Sequence, residues 1–296
     1  MSISIQPADY DFLANFLRKT SGLALGERKE YLLEARLVPL AQSSGLAGFE
    51  ELVAELRTGM NHLLNSAVTE AMTTNETSFF RDKTPFEGLK DTLIPRLISS
   101  HAENQRLRIW CAASSTGQEP YTIAMILRES FPALESRDVE ILATDISPKV
   151  LDSARKGIYS QFEVQRGLPI HLLMKYFSQV EKGWQIHKEV REDIVFRELN
   201  LLDDFSGLGL FDIIFCRNVL IYFENDIKKN ILDRLNPMLA INGHLLLGAA
   251  ETVLGITGTF ERYRDCAGAV YSPVTLTPAS ITSVGPICNQ SRSSPC

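Results

Sequence analysis

Short apolar runs separated by amphipathic segments, between residues 107 and 247, constrain the fold of this chain more than any other feature. The runs lie at 107–112, 139–144, 194–199, 211–216 and 244–247. An apolar run of this length, bounded by polar or small residues, predicts a buried strand. Helical spacing follows from Glu119 and again over residues 226–240. Strands that alternate with helices in this way predict a doubly wound α/β sheet.

The regions on either side of this pattern predict further parts. Residues 1–72 are predicted to form an all-α domain, since Phe49, Leu52, Val53 and Leu56 have helical spacing. Residues 73–274 are predicted to form the α/β domain. The interval 155–195 is too long for a simple connection, and its alternating segment from Trp184 predicts a small β insertion. Residues 275–296 are rich in Ser, Pro and Thr, which predicts a disordered tail.

Composition limits the classes of function. A chain of 296 residues is long enough for two domains, and its net charge of -6 disfavours bulk binding to nucleic acid. The five cysteines are scattered and contain no C-x-x-C pair, which argues against a disulfide framework and against a zinc site, so no metal is expected. No basic start precedes an apolar run, and no apolar stretch approaches the ~18–20 residues of a membrane helix. The sequence therefore predicts a cytoplasmic protein without membrane insertion.

Four polar or small segments follow predicted strands, at residues 113–119, at Asp145, at 200–203 and at 217–218. Ligands bind at the carboxyl ends of strands in open α/β sheets. An acidic residue at the position of Asp145 can accept hydrogen bonds from both hydroxyls of a ribose, although it could equally be a helix N-cap, a role for which Ser147 competes. The segment at 113–119 is neither G-x-G-x-x-G nor a phosphate loop, and it could be an ordinary tight turn.

Four linked motifs make the pattern specific. They are TNETSFFRD at 74–82, ASSTGQEPY at 113–121, ATDIS at 143–147 and FCRNVLIYF at 215–223. In this order the set resembles the CheR family of chemotaxis receptor methyltransferases, and the resemblance runs from about residue 9 to 273. It implies a Rossmann-like class I methyltransferase domain, with an inserted antiparallel β subdomain, that follows an all-α domain. It also implies S-adenosylmethionine-dependent O-methylation of receptor glutamates, which yields methyl esters and S-adenosylhomocysteine.

The resemblance also implies roles for individual residues. Arg81 and Tyr222 would be catalytic, with Arg81 near the methionine carboxylate of the cofactor and Tyr222 positioning the substrate. Glu119 would bind the methionine end and Asp145 the ribose. The full implied cofactor set is Asn75, Thr77, Arg81, Glu119, Asp145, Asn200, Leu201, Arg217 and Asn218, with Asn200 and Leu201 beside the adenine and Arg217 and Asn218 near the transferred methyl. From residue types alone, Arg81 could be a surface arginine and Glu119 a first-turn helix charge.

The implied partner is the cytoplasmic domain of a chemotaxis receptor. The resemblance places its docking on basic residues of the helical domain, here Arg28, Lys29 and Arg36, although Glu30 and Glu34 are interleaved and a solvated face is the alternative. A receptor C-terminal peptide could add a strand to the β insertion, with edge residues expected between 179 and 196. The rival functions are a non-catalytic S-adenosylmethionine-binding adapter and a methyltransferase with another substrate.

Overall fold

The computed structural model describes residues 5–26, 28–102, 105–136 and 139–274; the predicted tail at 275–296 lies outside them. The chain begins with four helices, α1 (Pro7–Ser21), α2 (Glu30–Ser43), α3 (Phe49–Thr58) and α4 (His62–Met72). Their apolar faces form one buried cluster that includes Leu13, Leu37, Phe49 and Val68. The predicted all-α domain is therefore confirmed.

Within the described residues, the α/β part contains eight further helices and two sheets. The helices are α5 (Thr84–Gly88), α6 (Ile94–Ser100), α7 (Gln118–Ser130), α8 (Pro148–Lys156), α9 (Gln161–Gln165), α10 (Ile170–Tyr176), α11 (Lys188–Arg191) and α12 (Asn225–Leu235). A π-helical turn, Leu89–Leu93, joins α5 to α6. The strands are β1 (Leu107–Ala112), β2 (Val139–Asp145), β3 (Ile158–Tyr159), β4 (Phe177–Val180), β5 (Gly183–Ile186), β6 (Ile194–Glu198), β7 (Phe211–Cys216), β8 (Leu239–Leu247), β9 (Phe260–Arg262) and β10 (Val270–Pro273).

Seven strands form the main sheet in the order β6-β2-β1-β7-β8-β10-β9. The pairs from β6 to β8 are parallel, and β10 runs antiparallel to both β8 and β9. Separate apolar clusters cover the two faces of this sheet, as expected for a parallel sheet with helices on both sides. The strand order reverses between β1 and β7: from β1 the chain adds β2 and β6 on one side of the sheet, and then β7 and β8 on the other. At such a switch point the carboxyl ends of β1, β2 and β7 open onto one crevice.

The predicted β insertion is confirmed as a three-stranded antiparallel sheet in the order β3-β5-β4. The prediction that the edge lies between residues 179 and 196 is wrong for β5, because β5 is the central strand and its backbone pairs on both sides. Within that interval, edge positions lie only at the end of β4 and on β6, which is an edge strand of the main sheet. Periodicity predicts that a segment is a strand but not which neighbours it pairs with.

The boundary predicted between the last helix and the next strand is also wrong. The sequence predicted a helix over 226–240 and a strand from 244, whereas α12 ends at Leu235, a 3-10 turn covers Asn236–Met238 and β8 begins at Leu239. Pro237 lacks the N–H that would continue an α-helix. The early start of β8 includes Asn242, whose φ of 64° accompanies an irregular register with β7.

The helical domain packs directly on the crevice end of the sheet. Arg18 on α1 forms ion pairs with Glu224 at 2.7 Å and with Asp226 at 2.5 Å. A β-bridge joins Leu23 to Phe223, beside the segment that follows β7. The helical domain thereby becomes a wall of the crevice. Over the described ranges, none of the helices combines the length and hydropathy of a membrane span.

Candidate active site

A pocket of about 830 Å³, including its open mouth, lies at the carboxyl ends of β1, β2 and β7. The linker after α4 and the end of α1 close its other side, through residues such as Ser21 and Thr73. Eight of the residues selected from the sequence line it together: Asn75, Thr77, Arg81, Glu119, Asp145, Arg217, Asn218 and Tyr222. These residues come from four separate segments, which the sheet topology brings to one place.

Left-handed backbone is concentrated around this pocket. Ala113 has a φ of 61°, Ser115 of 51° and Asn218 of 57°, and each such non-glycine residue costs on the order of 1–3 kcal/mol. Gly117, with a φ of 93°, has no room for a side chain, since a Cβ would lie 2.9 Å from the Cβ of Ala154. These strained residues lie in the turns after β1 and β7, where the backbone borders the pocket. Strained backbone beside a pocket is typical of a ligand site.

Asp145, at the end of β2, is a buried carboxylate of the pocket, with only 5% of its surface exposed. Its Oδ2 accepts from the N–H of Ser115 at 2.8 Å and its Oδ1 from the N–H of Ser147 at 3.0 Å. Burial raises the pKa of Asp145, and backbone N–H groups, that of Ser147 foremost, oppose the rise. The cap of α8 is Ser147, whose hydroxyl accepts from Val150, so the helix-cap alternative for Asp145 does not hold.

Arg217 lies at the centre of a buried ion-pair cluster, with a side chain that is 1% exposed. Its Nη1 donates to Oε2 of Glu119 at 2.7 Å, and its Nη2 donates to Oδ2 of Asp82 at 3.0 Å and to the carbonyl of Arg81 at 2.8 Å. Burial raises the pKa of Glu119, and the charge of Arg217 partly offsets this. The sequence suggested separate ligand contacts for Glu119 and Arg217; the structure shows that the two side chains also bind each other.

The linker that carries Asn75, Thr77 and Arg81 packs against the turn after β1 and is hydrogen-bonded to it. The hydroxyl of Ser115 donates to the carbonyl of Asn75 at 2.7 Å, and the guanidinium of half-buried Arg81 donates to the carbonyl of Glu76 at 2.8 Å. Further along, the side chain of Phe79 is fully buried in the main core. The linker is therefore held at both ends of the segment that faces the pocket.

Asn200 and Leu201 do not line this pocket. The amide of Asn200 donates to the carbonyl of Thr20 at 2.7 Å, which ties it to α1, and Leu201 packs in the core under the sheet. Asn200 instead lines an adjoining cavity, which shares Ile146 with the main pocket. A role of Asn200 and Leu201 beside an adenine stays a prediction.

The three basic residues selected for docking lie in different surroundings. Arg28 is exposed, with a φ of 60°, and Lys29 lies near the ring of Tyr31. Arg36 is half-buried, and its Nη1 donates to the carbonyls of Met72 at 2.7 Å and Thr73 at 2.8 Å. Arg36 therefore closes the end of α4, a structural role that the sequence did not indicate. Docking by these three residues stays a prediction.

Two acidic residues beside the pocket received no role from the sequence. Asp82 pairs with Arg217, and Glu251 accepts hydrogen bonds from the backbone of Asn218 and of Gly248. Asp82 lies within the first motif, and that membership was its available signal. Glu251 follows a strand by four residues, so its available signal was a position near a strand end. Asp82 lies 135 positions from Arg217, and Glu251 lies 33 positions from Asn218. Hydrophobic periodicity does not indicate contacts between residues so far apart in the sequence.

The chain belongs to the CheR methyltransferase family of S-adenosylmethionine-dependent methyltransferases. The model of the CheR methyltransferase SAM binding domain matches residues 75–267, and the model of the CheR methyltransferase all-alpha domain matches residues 8–73. The fold predicted from the resemblance, an all-α domain followed by a Rossmann-like methyltransferase domain, is confirmed.

Similar proteins cover nearly the whole chain. Chemotaxis protein methyltransferase 1 of Vibrio cholerae is 42% identical over 275 residues, which span 91% of this chain and 98% of the relative. Chemotaxis protein methyltransferase 1 of Pseudomonas aeruginosa is 40% identical over 274 residues, 91% of this chain and 99% of the relative. A chemotaxis protein methyltransferase of Borreliella burgdorferi is 35% identical, over 86% of this chain and 92% of the relative.

Proposed function

We propose that this protein transfers a methyl group from S-adenosylmethionine to glutamate side chains of chemotaxis receptors, in the cytoplasm, and releases S-adenosylhomocysteine. The observation that carries the proposal is the convergence of Arg81, Glu119, Asp145 and Tyr222 on one pocket in a chain of the CheR methyltransferase family. The names of its relatives as chemotaxis protein methyltransferases support the substrate. A glutamate ester is the product that follows from a carboxylate acceptor.

The pocket residues fit this cofactor chemically. Asp145 would accept from the two ribose hydroxyls, since each carboxylate oxygen has a second acceptor site beside its backbone bond. Arg81 would bind the methionine carboxylate, and Glu119 the ammonium. Pairing with Arg217 through one oxygen leaves Glu119 acceptor capacity. In the described part of the chain, the buried hydroxyl of Ser114 has no hydrogen-bond partner, and it belongs to a residue of the pocket wall.

The bound cofactor would supply an electrophilic methyl on a sulfonium. A free glutamate has a pKa of about 4.3, so the acceptor oxygen is already ionised near neutral pH and needs no general base. The protein's contribution would then be to position and desolvate that carboxylate. Half-buried Tyr222 and Asn218, on the pocket wall after β7, are the side chains proposed to orient it.

Docking would use surfaces away from the pocket. Exposed Arg28 and half-buried Lys29 are the groups proposed to meet acidic receptor helices, while Arg36 contributes mainly by holding the end of α4. Strand β4 of the insertion and edge strand β6 are the places where a receptor C-terminal peptide could add a strand. The backbone groups of an edge strand are available for such pairing.

The test is transfer of radiolabelled methyl from S-adenosylmethionine to membranes that contain chemotaxis receptors. We expect label on the receptor band, and we expect mild base to release it as volatile methanol, because a carboxyl methyl ester is base-labile. Membranes without receptors are one control, and the Asp145→Ala variant at a subsaturating concentration of S-adenosylmethionine is the other.

Two outcomes would contradict the proposal. Label that survives base would indicate N-methylation and therefore a different acceptor. No label, in a protein that binds S-adenosylhomocysteine by calorimetry, would favour the adapter function instead.

A further inference from the structure

Glu251 is a buried carboxylate outside the wall of the proposed active site. It ends the turn that follows β8, where its N–H donates to the carbonyl of Gly248 at 2.9 Å. Only 7% of its surface is exposed. A carboxylate in such a place needs hydrogen-bond donors, because burying a charge without them is costly.

Three backbone N–H groups supply those donors. Oε2 of Glu251 accepts from Asn218 at 2.7 Å and from Gly248 at 2.7 Å, and Oε1 accepts from Ile221 at 3.2 Å. Two of the donors belong to the segment 217–222 that follows β7, which also carries Tyr222. Hydrogen bonds to an ionised acceptor are about twice as strong as neutral ones. Glu251 therefore ties the segment after β7 to the turn after β8.

The contact is also sterically specific. Asn218 has a φ of 57°, in the left-handed region, which asparagine adopts more readily than most other non-glycine residues. A Cβ on Gly248 would lie 2.7 Å from Nδ2 of Asn218 and 2.7 Å from Oε2 of Glu251. Glycine at 248 thus lets the two segments approach closely enough for the carboxylate to reach both.

We infer that Glu251 is a positioning residue for methyl transfer, which acts through the backbone of Asn218 and Ile221 to hold Asn218 and Tyr222 against the pocket. The inference rests on the proposed function, because that proposal supplies the reaction, methyl transfer, in which this segment takes part. The residues proposed to hold the cofactor ribose and methionine end, Asp145, Glu119 and Arg81, lie on other segments. Loss of the anchor should therefore impair transfer more than cofactor binding.

The experiment compares Glu251→Gln and Gly248→Ala with wild type in the full-length chain. The glutamine side chain keeps one acceptor oxygen, but its amide NH2 replaces the other. That NH2 would face a backbone N–H group, which is also a donor, so the hydrogen bond there is lost. We expect backbone hydrogen exchange over 217–222 to rise by roughly tenfold, and kcat to fall by roughly tenfold or more, since small misplacements at a reacting centre have effects of this size. The Kd for S-adenosylhomocysteine should change by less than about threefold, as expected when the lost interaction serves the transition state.

The controls are Glu261→Gln, an exposed glutamate on β9, and Gly258→Ala, where a Cβ would meet nothing within 4 Å. Both should behave as wild type. Unchanged exchange over 217–222 in Glu251→Gln would overturn the inference, as would a kcat that falls only in proportion to the folded fraction. If wild type labels no receptor, the proposed function fails, and the exchange and binding measurements still decide whether Glu251 anchors this segment.

Discussion

Replacing Arg217 with leucine is expected to lower the free energy of unfolding by about 3–5 kcal/mol, the usual cost of removing one partner from a buried ion pair. The side chain of Arg217 is 1% exposed and that of Glu119 is 12% exposed. Without the guanidinium, Glu119 would be left buried with no cation at 2.7 Å. Chemical denaturation of the variant and of wild type measures the loss.

The loss should depend on pH in a defined direction. Burial already holds the pKa of Glu119 above its ordinary value of 4.5 in the folded protein, and Arg217 opposes that rise. Removing Arg217 should raise the pKa of Glu119 further. An acid whose pKa is higher when folded than when unfolded binds more protons in the folded state between the two values, so its contribution to stability falls as pH rises through that window. The deficit relative to wild type should therefore be smaller at pH 5 than at pH 8.

Two variants separate this effect from a general loss of packing. Adding Glu119→Gln to Arg217→Leu removes the unpaired charge and should restore a large part of the lost stability. Arg155→Leu removes an exposed arginine that pairs with Asp152 on α8 and donates to the carbonyl of Phe196 at 3.0 Å. It should cost no more than about 2 kcal/mol, since a surface pair contributes about 0–1 kcal/mol and a hydrogen bond about 1 kcal/mol. A deficit that is the same at both pH values would show that Glu119 is not the group left uncompensated.

Replacing Asp145 with alanine is expected to weaken binding of S-adenosylhomocysteine by about 100-fold or more. The proposed role of Asp145 is to accept from two hydroxyls, and hydrogen bonds to a charged group contribute about 1.5–3 kcal/mol each. Tenfold in affinity corresponds to about 1.4 kcal/mol. Titration calorimetry measures the change, and transfer from saturated enzyme should fall much less than binding does.

The fold must be checked in the same variant, because Asp145 also accepts from the N–H groups of Ser115 and Ser147. Asp145→Asn, which keeps one acceptor oxygen, should retain more of the thermal stability while still losing affinity. Asp152→Ala removes an exposed carboxylate of α8 and should bind as wild type does. Unchanged calorimetry for Asp145→Ala would make the ribose assignment wrong.

The location of the pocket could be predicted because it depends on local pattern and on one topological rule. Apolar runs identified β1, β2, β6 and β7 as strands, and the carboxyl ends of parallel strands meet at one edge of a sheet. Asp145 and Asn218 therefore had to lie near each other, although 73 residues separate their positions in the sequence. The linked motifs added Arg81 and Glu119, whose side chains line the same pocket.

The partners of those side chains could not be predicted in the same way. Arg217 pairs with Glu119 across 98 positions, and Arg36 reaches the carbonyl of Met72 across 36. Any arginine can satisfy many acceptors, so its residue type does not select one. The position of Glu251 after a strand likewise did not indicate its partners, because its three donors are backbone groups that every residue type carries.

The sequence by itself thus determined the strands β1, β2, β6 and β7, the end of β8, and the division into an all-α part and an α/β part, although it did not indicate β9 or β10. It also determined the edge of the sheet where the pocket forms, since periodicity and strand direction are properties of neighbouring residues. Only the tertiary structure decided that β5 is central, that α1 closes the pocket and that Glu251 joins two segments after different strands. Those features depend on which distant groups come within hydrogen-bond distance after packing. Whether two such groups come within hydrogen-bond distance depends on the whole fold, and no periodic pattern in the sequence indicates it.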